Sequence, residues 1–285
     1  QQALDQGIDT IPDAPESLRA LFRQVDTVPP WVDFDRCELG ARVYRRVSFG
    51  GVLTLSAYSL MAGYHSAAAI KPLSFTGGLS QRAPRRLAET GRYVVETSRE
   101  GGLRRHGEGL KIAVRVRVMH AQVRRMLRAS GRWDEGWGAP INQADMAITA
   151  MEFSSMVLRG CRALGYVFDA EESGAIMHLF KYAGYLMGVD AELLPLLDSE
   201  SEARRYEQLV RFTIDGPDAD SLELAEALRS AFVTGAKTPT EALRAMSLRP
   251  LHDGLVWTLC GDRVSRELGM ERPWLRHLVP PVAVG

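Results

Sequence analysis

Cysteine is scarce in this chain of 285 residues, which contains only Cys37, Cys161 and Cys260. Three scattered cysteines are too few for a disulfide framework, and the sequence has no Cys-x-x-Cys pair, no Cys-x-x-Cys-His haem-attachment motif and no zinc-ligand spacing. We therefore expect a protein of a reducing compartment. The cytoplasm is the expected location, and secretion stays open for a chain from which a leader peptide was removed.

Net charge is also lacking, because 35 lysines and arginines balance 35 aspartates and glutamates. A balanced charge creates no long-range field that would attract nucleic acid or an anionic membrane, so we expect no nucleic-acid partner. Arginine nevertheless clusters locally, in the segments 82–86 and 115–128. Such clusters need a local explanation, for example anionic groups on a bound ligand.

Strand patterns are missing as well, since no run alternates apolar and polar residues and no Asn-Gly hairpin turn occurs. Helical patterns recur instead, and no repeat or low-complexity linker divides the chain, which predicts an all-α fold with a single domain over 1–285. The most apolar stretch, 49–70, contains serine, tyrosine, glycine and His65. Its composition favours a buried core helix over a stable membrane span.

Apolar periodicity together with Pro and Gly boundaries sets the predicted helices. They cover 15–25, 35–49, 52–69, 84–100, 108–130, 142–165, 170–187, 199–214, 220–234, 239–247 and 251–269. The tail 273–285 contains three prolines and is expected to be irregular.

The most informative of these segments is the predicted helix 108–130, which contains His120. At about 100° per residue, the side chains within roughly 60° of His120 are Ala113, Val116, Arg117, Val123, Arg124 and Leu127. A neutral imidazole on an apolar face suits a ligand of haem iron. The flanking guanidinium groups suit the anionic propionates of the porphyrin. A core histidine with solvated arginines is the alternative that the pattern alone leaves open.

Motifs for other chemistries are absent from the sequence. No Glu-x-x-His pair, HExxH, Gly-x-Ser-x-Gly, Walker A or GxGxxG motif occurs. Cys161 is followed by Arg162 and Ala163 in a helical pattern, so a cysteine-ligated haem is not supported.

Three separated segments carry a family resemblance over about residues 40–200. They are Arg86-Leu87-Ala88-Glu89-Thr90, the segment 118–127 around His120, and 140–145 with Thr149 and Phe153 following. In this order, and with His120 thirty positions after Thr90, they resemble the family of rubber oxygenases (latex-clearing proteins) and mycophenolic-acid MpaB-type oxygenases. The resemblance implies a globin-like helical core, a haem b cofactor and oxidative chemistry on apolar substrates.

The resemblance also implies which residues of this chain form the site, by their positions in the matching segments. The histidine that ligates the haem iron on the proximal side matches His120, and the supporting arginine matches Arg124. The Arg-x-x-x-Thr pair of the distal side matches Arg86 and Thr90. Arg117, one turn before His120, is a further candidate for pairing with a haem propionate.

Two positions depart from the rubber-oxygenase pattern. Where that pattern has a lysine before the distal threonine, this chain has Glu89, which would either transfer protons or pair with a nearby arginine. The glutamate base expected about sixteen residues before the distal arginine is missing, since no carboxylate lies between Glu38 and Glu89. We therefore expect a small apolar substrate and no cleavage of a polymer.

The resulting expectation is a haem b-dependent oxygenase or related oxidoreductase that binds iron through His120 and uses dioxygen or peroxide. Arg86, Glu89 and Thr90 are the candidate catalytic residues, and Arg117 and Arg124 are candidate haem-binding residues. A haem-binding gas sensor or carrier without turnover, and a helical interaction protein without a cofactor, remain as alternatives.

Overall fold

The computed structural model describes residues 1–75, 77–234 and 239–272, without the side chains of 232–248. Helices supply all the regular secondary structure in these ranges. The prediction of an all-α fold is confirmed, because no strand occurs within these ranges. In chain order the first helices are α1 (Gln2–Gln6), α2 (Glu16–Asp26), α3 (Phe34–Arg46), α4 (Ser48–Thr54), α5 (Met61–Tyr64), α6 (Ala67–Phe75) and α7 (Leu79–Thr97). The others are α8 (Glu108–Ala129), α9 (Gln143–Phe153), α10 (Ser155–Ala163), α11 (Ala170–Met187), α12 (Glu200–Arg211), α13 (Ala219–Thr234) and α14 (Pro239–Glu267).

The predicted bounds of α8 and α11 agree with the structure within one residue. The start of α11 is fixed by a capping box, in which the Asp169 carboxylate accepts from the backbone N–H of Glu172 and the Glu172 side chain accepts from that of Asp169. It ends at Gly188, whose φ of 92° is available to glycine at little cost. Helices α2, α12 and α13 lie within a few residues of their predicted bounds.

Four predicted boundaries were wrong. The helix expected to begin at Pro84 begins at Leu79, because the proline ring lies on the exposed side and the freed carbonyl group there can meet water. The single helix expected over 142–165 is broken at Ser154, which has φ −115° and ψ −88°. The helices predicted at 239–247 and 251–269 run together through Pro250 in α14, and the interruption lies instead at Gly261, whose φ of 83° and ψ of 170° are not helical.

The fourth of these boundaries lies in the apolar stretch predicted as one helix over 52–69. That stretch divides into the end of α4, a π-helical segment Leu55–Leu60, α5 and the start of α6. A π-helical turn inserts a residue into an α-helix and changes the direction in which the following side chains point. The predicted irregular tail 273–285 lies outside the described residues.

Helix α11 lies at the centre of the main hydrophobic core and is buried on nearly all sides, with Ile176, Leu179, Phe180, Ala183 and Leu186 almost fully enclosed. It packs along α3, where a Cβ on Gly40 would stand 2.3 Å from the backbone carbonyl oxygen of Ala175. The two helix backbones therefore approach closely at a position that only glycine fits.

A second apolar cluster joins the C-terminal helices to the π-helical segment. Leu228 of α13 and Val256 and Trp257 of α14 pack there with Ala57 and Met61. Within the described residues, no helix combines the length and the apolar composition that crossing a bilayer requires.

Candidate active site

The middle of α8 has a partly uncovered apolar face around His120. The two ends of this face, Ala113 and Leu127, are fully buried, whereas Val116, His120 and Val123 between them are only half-buried. The neighbouring helices therefore cover both ends of the face and leave two turns around the imidazole incompletely covered.

His120 is a neutral imidazole with an unused nitrogen. Its Nδ1 atom is buried and has no hydrogen-bond partner among the described residues. Burial, with a smaller contribution from the Arg124 charge, lowers the pKa of His120 to about 4. The ring is consequently unprotonated at neutral pH, which is the state that binds a metal ion.

The two arginines beside His120 differ in what they contact. Arg124 is held by the protein, because its Nε and Nη2 atoms donate to the Ile141 carbonyl oxygen at 3.0 and 2.7 Å. Arg117 donates from Nη2 to the Gln24 side chain at 2.7 Å, while its Nη1 atom is buried without a partner in the described part of the chain. Burial lowers the pKa of both guanidinium groups, so each lies where an anion would be stabilised.

The candidate residues of α7 lie on two different sides of that helix. Arg86 is half-buried and donates to the Leu73 carbonyl oxygen at 3.2 Å, and Thr90, one turn later, is also half-buried. The Glu89 side chain is 61% exposed and accepts from Arg85 Nε at 2.9 Å. Of the two roles considered for Glu89, its position favours the ion pair.

Helices α7 and α8 approach closely beside the loop that joins them. A Cβ on Gly109 would stand 2.8 Å from the Glu96 carbonyl oxygen and from the Cα of Thr97. Arg86 lies eleven residues before Thr97, and His120 lies eleven residues after Gly109, which corresponds to about 16 Å of helix in each case. The two candidates are therefore at similar distances along their helices from this contact.

A buried carboxyl group in the same region was not predicted from the sequence. Glu152 of α9 is only 8% exposed, and burial, with contributions from Glu207 and Asp145, raises its pKa to about 8. Tyr64 interacts electrostatically with both Glu152 and Arg86, and burial together with the Glu152 charge raises the pKa of its phenol to about 12. The sequence does contain a hint, because Glu152 is the only charged residue between Asp145 and Arg159.

His65, the histidine of the most apolar stretch of the sequence, has a charged partner in the structure. Its side chain is largely buried, and Nε2 contacts the Glu267 carboxylate of α14. This histidine therefore joins α14 to the end of α5 and is engaged in that contact.

The helical arrangement and the sequence both match known proteins. The family described as "ER-bound oxygenase mpaB/B'/Rubber oxygenase, catalytic domain" matches residues 14–283, which is nearly the whole chain. The chain belongs to this family. The resemblance to this family, predicted from the segments 86–90, 118–127 and 140–145, is thereby confirmed.

Two members of the family are instructive for comparison. A rubber oxygenase of Streptomyces sp. (strain K30) is 25% identical over 215 residues, a region that covers 73% of this chain and 52% of that protein. The chain thus spans about half the length of this curated relative. A solved structure of latex clearing protein in its closed state superposes with a TM-score of 0.70 at 22% identity, covering 94% of this chain and 70% of that one. This superposition supports the common helical fold.

Proposed function

We propose that the protein is a haem b-dependent oxygenase that acts on a small apolar substrate, with His120 as the proximal ligand of the iron. The observation that carries this proposal is the buried Nδ1 atom of His120, which has no partner in the described part of the chain. Leaving a buried polar atom unpaired costs about 1–3 kcal/mol, so such an atom indicates a missing ligand. Membership of an oxygenase family supports the type of reaction.

The residues around His120 fit haem b in charge and polarity. Neutral imidazole is a ligand of haem iron, and the half-buried Val116 and Val123 offer apolar surface to a porphyrin. The unpartnered Nη1 of Arg117 is suited to donate to a propionate. In this proposal Arg124 supports the site from its position against the Ile141 carbonyl oxygen.

When bound, haem b supplies the activation of dioxygen or peroxide. Arg86 and Thr90 of α7 are proposed to line the ligand site, where their guanidinium and hydroxyl groups would stabilise negative charge by hydrogen bonding. Glu89 is assigned to its ion pair with Arg85 rather than to proton transfer.

The cofactor is tested by a pyridine haemochrome spectrum of the purified protein, expressed with adequate haem and compared with His120→Ala. His106→Ala is the matched control, because His106 is an exposed histidine just before the same helix. We expect a b-type spectrum in the wild type and in His106→Ala, and its loss in His120→Ala. Full haem occupancy in His120→Ala, or a wild type that cannot be loaded with haem, would overturn the proposal.

Turnover separates the oxygenase from a haem-binding gas sensor or carrier. The haem-loaded protein is expected to consume dioxygen when a small isoprenoid substrate is added, and a peroxide-supported reaction is measured in parallel. A protein that binds haem but consumes neither oxidant with any apolar substrate would favour the sensor or carrier. A folded protein without haem would favour a helical interaction protein.

A further inference from the structure

A carboxyl group without a partner is buried in α9. The Glu152 side chain forms no hydrogen bond and no ion pair with any described residue, although only 8% of the residue is exposed. A buried polar group of this kind is destabilising unless something completes its hydrogen bonding. Other buried acids nearby are satisfied: the Glu207 carboxylate, for example, contacts Arg159 and accepts from Ser155.

The position of this carboxyl group is fixed from two directions. The Ser59 hydroxyl in the π-helical segment donates to the backbone carbonyl oxygen of Glu152 at 2.7 Å, which holds α9 against that segment. On α5, a Cβ at Gly63 would stand 2.6 Å from Glu152 Oε1. The absence of a side chain at Gly63 therefore makes the room in which the carboxyl group lies.

The charged and titratable groups around Glu152 make it a hydrogen-bond donor at neutral pH. Two acids, Glu207 of α12 and Asp145 of α9, raise its pKa in addition to burial, so the carboxyl group is protonated below about pH 8. Tyr64 of α5 adds a phenol that stays protonated as well, and its other electrostatic neighbour is Arg86. Protonated acid, phenol and guanidinium groups all donate hydrogen bonds, and an oxygen atom of a ligand would accept them.

We propose that Glu152 binds an oxygen-bearing group of the substrate, so that the substrate is an apolar molecule carrying a carbonyl or hydroxyl group rather than a pure hydrocarbon. This inference rests on the proposed function for its choice of ligand. A protonated carboxyl group both donates to a carbonyl oxygen and accepts from a hydroxyl group, whereas a hydrocarbon leaves it unpaired. A site that hydrogen-bonds a substrate oxygen rejects the analogue lacking it, because the buried polar group then has no partner.

Paired terpene probes test the preference. Geraniol, an isoprenoid alcohol, and myrcene, a hydrocarbon with the same number of carbon atoms, are titrated against the full-length protein, and binding is followed by thermal shift and calorimetry. The variants are Glu152→Met, which removes the hydrogen bonds at similar volume, and Glu152→Gln, which keeps a donor and an acceptor. Glu171→Met is the control, because Glu171 is an exposed acid at the start of α11.

We expect wild type, Glu152→Gln and Glu171→Met to bind geraniol about tenfold more tightly than myrcene, or better, as one hydrogen bond of about 1.4 kcal/mol provides. Glu152→Met should bind the two probes about equally. A preference that survives in Glu152→Met, is lost in Glu152→Gln, or is missing from the wild type would overturn the proposal. Binding is scored with and without loaded haem, so failure of haem loading and failure of the oxygen preference are separate results.

Discussion

Replacing Glu152 with glutamine should change how the stability of the protein depends on pH. The folded state keeps the proton of Glu152 up to about pH 8, whereas the unfolded chain releases it near 4.5. Between these values the folded state binds one proton more than the unfolded state, so the free energy of unfolding falls as pH rises. This contribution is fully present below about pH 4.5 and is lost as pH rises through the folded pKa.

The magnitude follows from the separation of the two pKa values. Each pH unit in this window corresponds to about 1.4 kcal/mol, so between pH 5 and pH 8 the wild type should lose about 4 kcal/mol relative to Glu152→Gln. Other titrating groups, such as Asp145, whose pKa is raised to about 6, are present in both proteins and largely cancel in the comparison.

Chemical denaturation of wild type and Glu152→Gln at half-unit steps from pH 5 to pH 9 measures this difference. The gap between the two unfolding free energies should grow steadily and level off above about pH 8. The exposed Glu171→Gln variant should give a curve parallel to that of the wild type. Parallel curves for Glu152→Gln as well would refute the conclusion that Glu152 is a buried, protonated acid.

Two further predictions concern the haem site and the packing of the core. Arg117→Gln should lower haem affinity by about tenfold or more, since a charge-assisted hydrogen bond contributes about 1.5–3 kcal/mol. Haem titration measures this, with Arg115→Gln as the control because Arg115 is exposed on the same helix. Equal haem affinities of the two variants would contradict the role of Arg117. Gly40→Ala should lower the thermal midpoint, because its Cβ would meet the Ala175 carbonyl oxygen and overpacking costs about 1–3 kcal/mol. Gly91→Ala, at an open position on α7, is the control: it should raise the free energy of unfolding by about 0.5–1 kcal/mol, and the thermal midpoint with it. Equal shifts of the midpoint in both variants would contradict the close approach of α3 and α11.

Local sequence was enough to predict the bounds of α8, which carries His120, and of α11, the central helix of the core. Helix α8 has a regular apolar period and begins after Gly107, and α11 combines a capping box at Asp169 with a terminal Gly188. Both features depend on residues a few positions apart, so they are readable along the chain. The placement of Arg117, His120 and Arg124 on one face follows from the same period.

Tertiary packing decided what the sequence did not reveal. Glu152 lies in a helix whose pattern is apolar, and its isolation from any partner follows from the way Gly63 and Ser59 meet α9. The π-helical segment Leu55–Leu60 has the composition of an ordinary helix, and the break at Ser154 lies in a stretch without proline or glycine. Ser154 instead donates its hydroxyl to the Ala150 carbonyl oxygen, a local bond that competes with helical hydrogen bonding.

The most direct test of the central claim is chemical rescue of His120→Gly with free imidazole. The substitution removes the side chain whose buried nitrogen is unpartnered in the described structure, and glycine in the helix costs only about 1 kcal/mol. We expect the b-type haem spectrum to disappear in His120→Gly and to return when imidazole is added, with no such effect on His106→Ala. Retention of haem by His120→Gly without imidazole would contradict the assignment of His120 as the ligand.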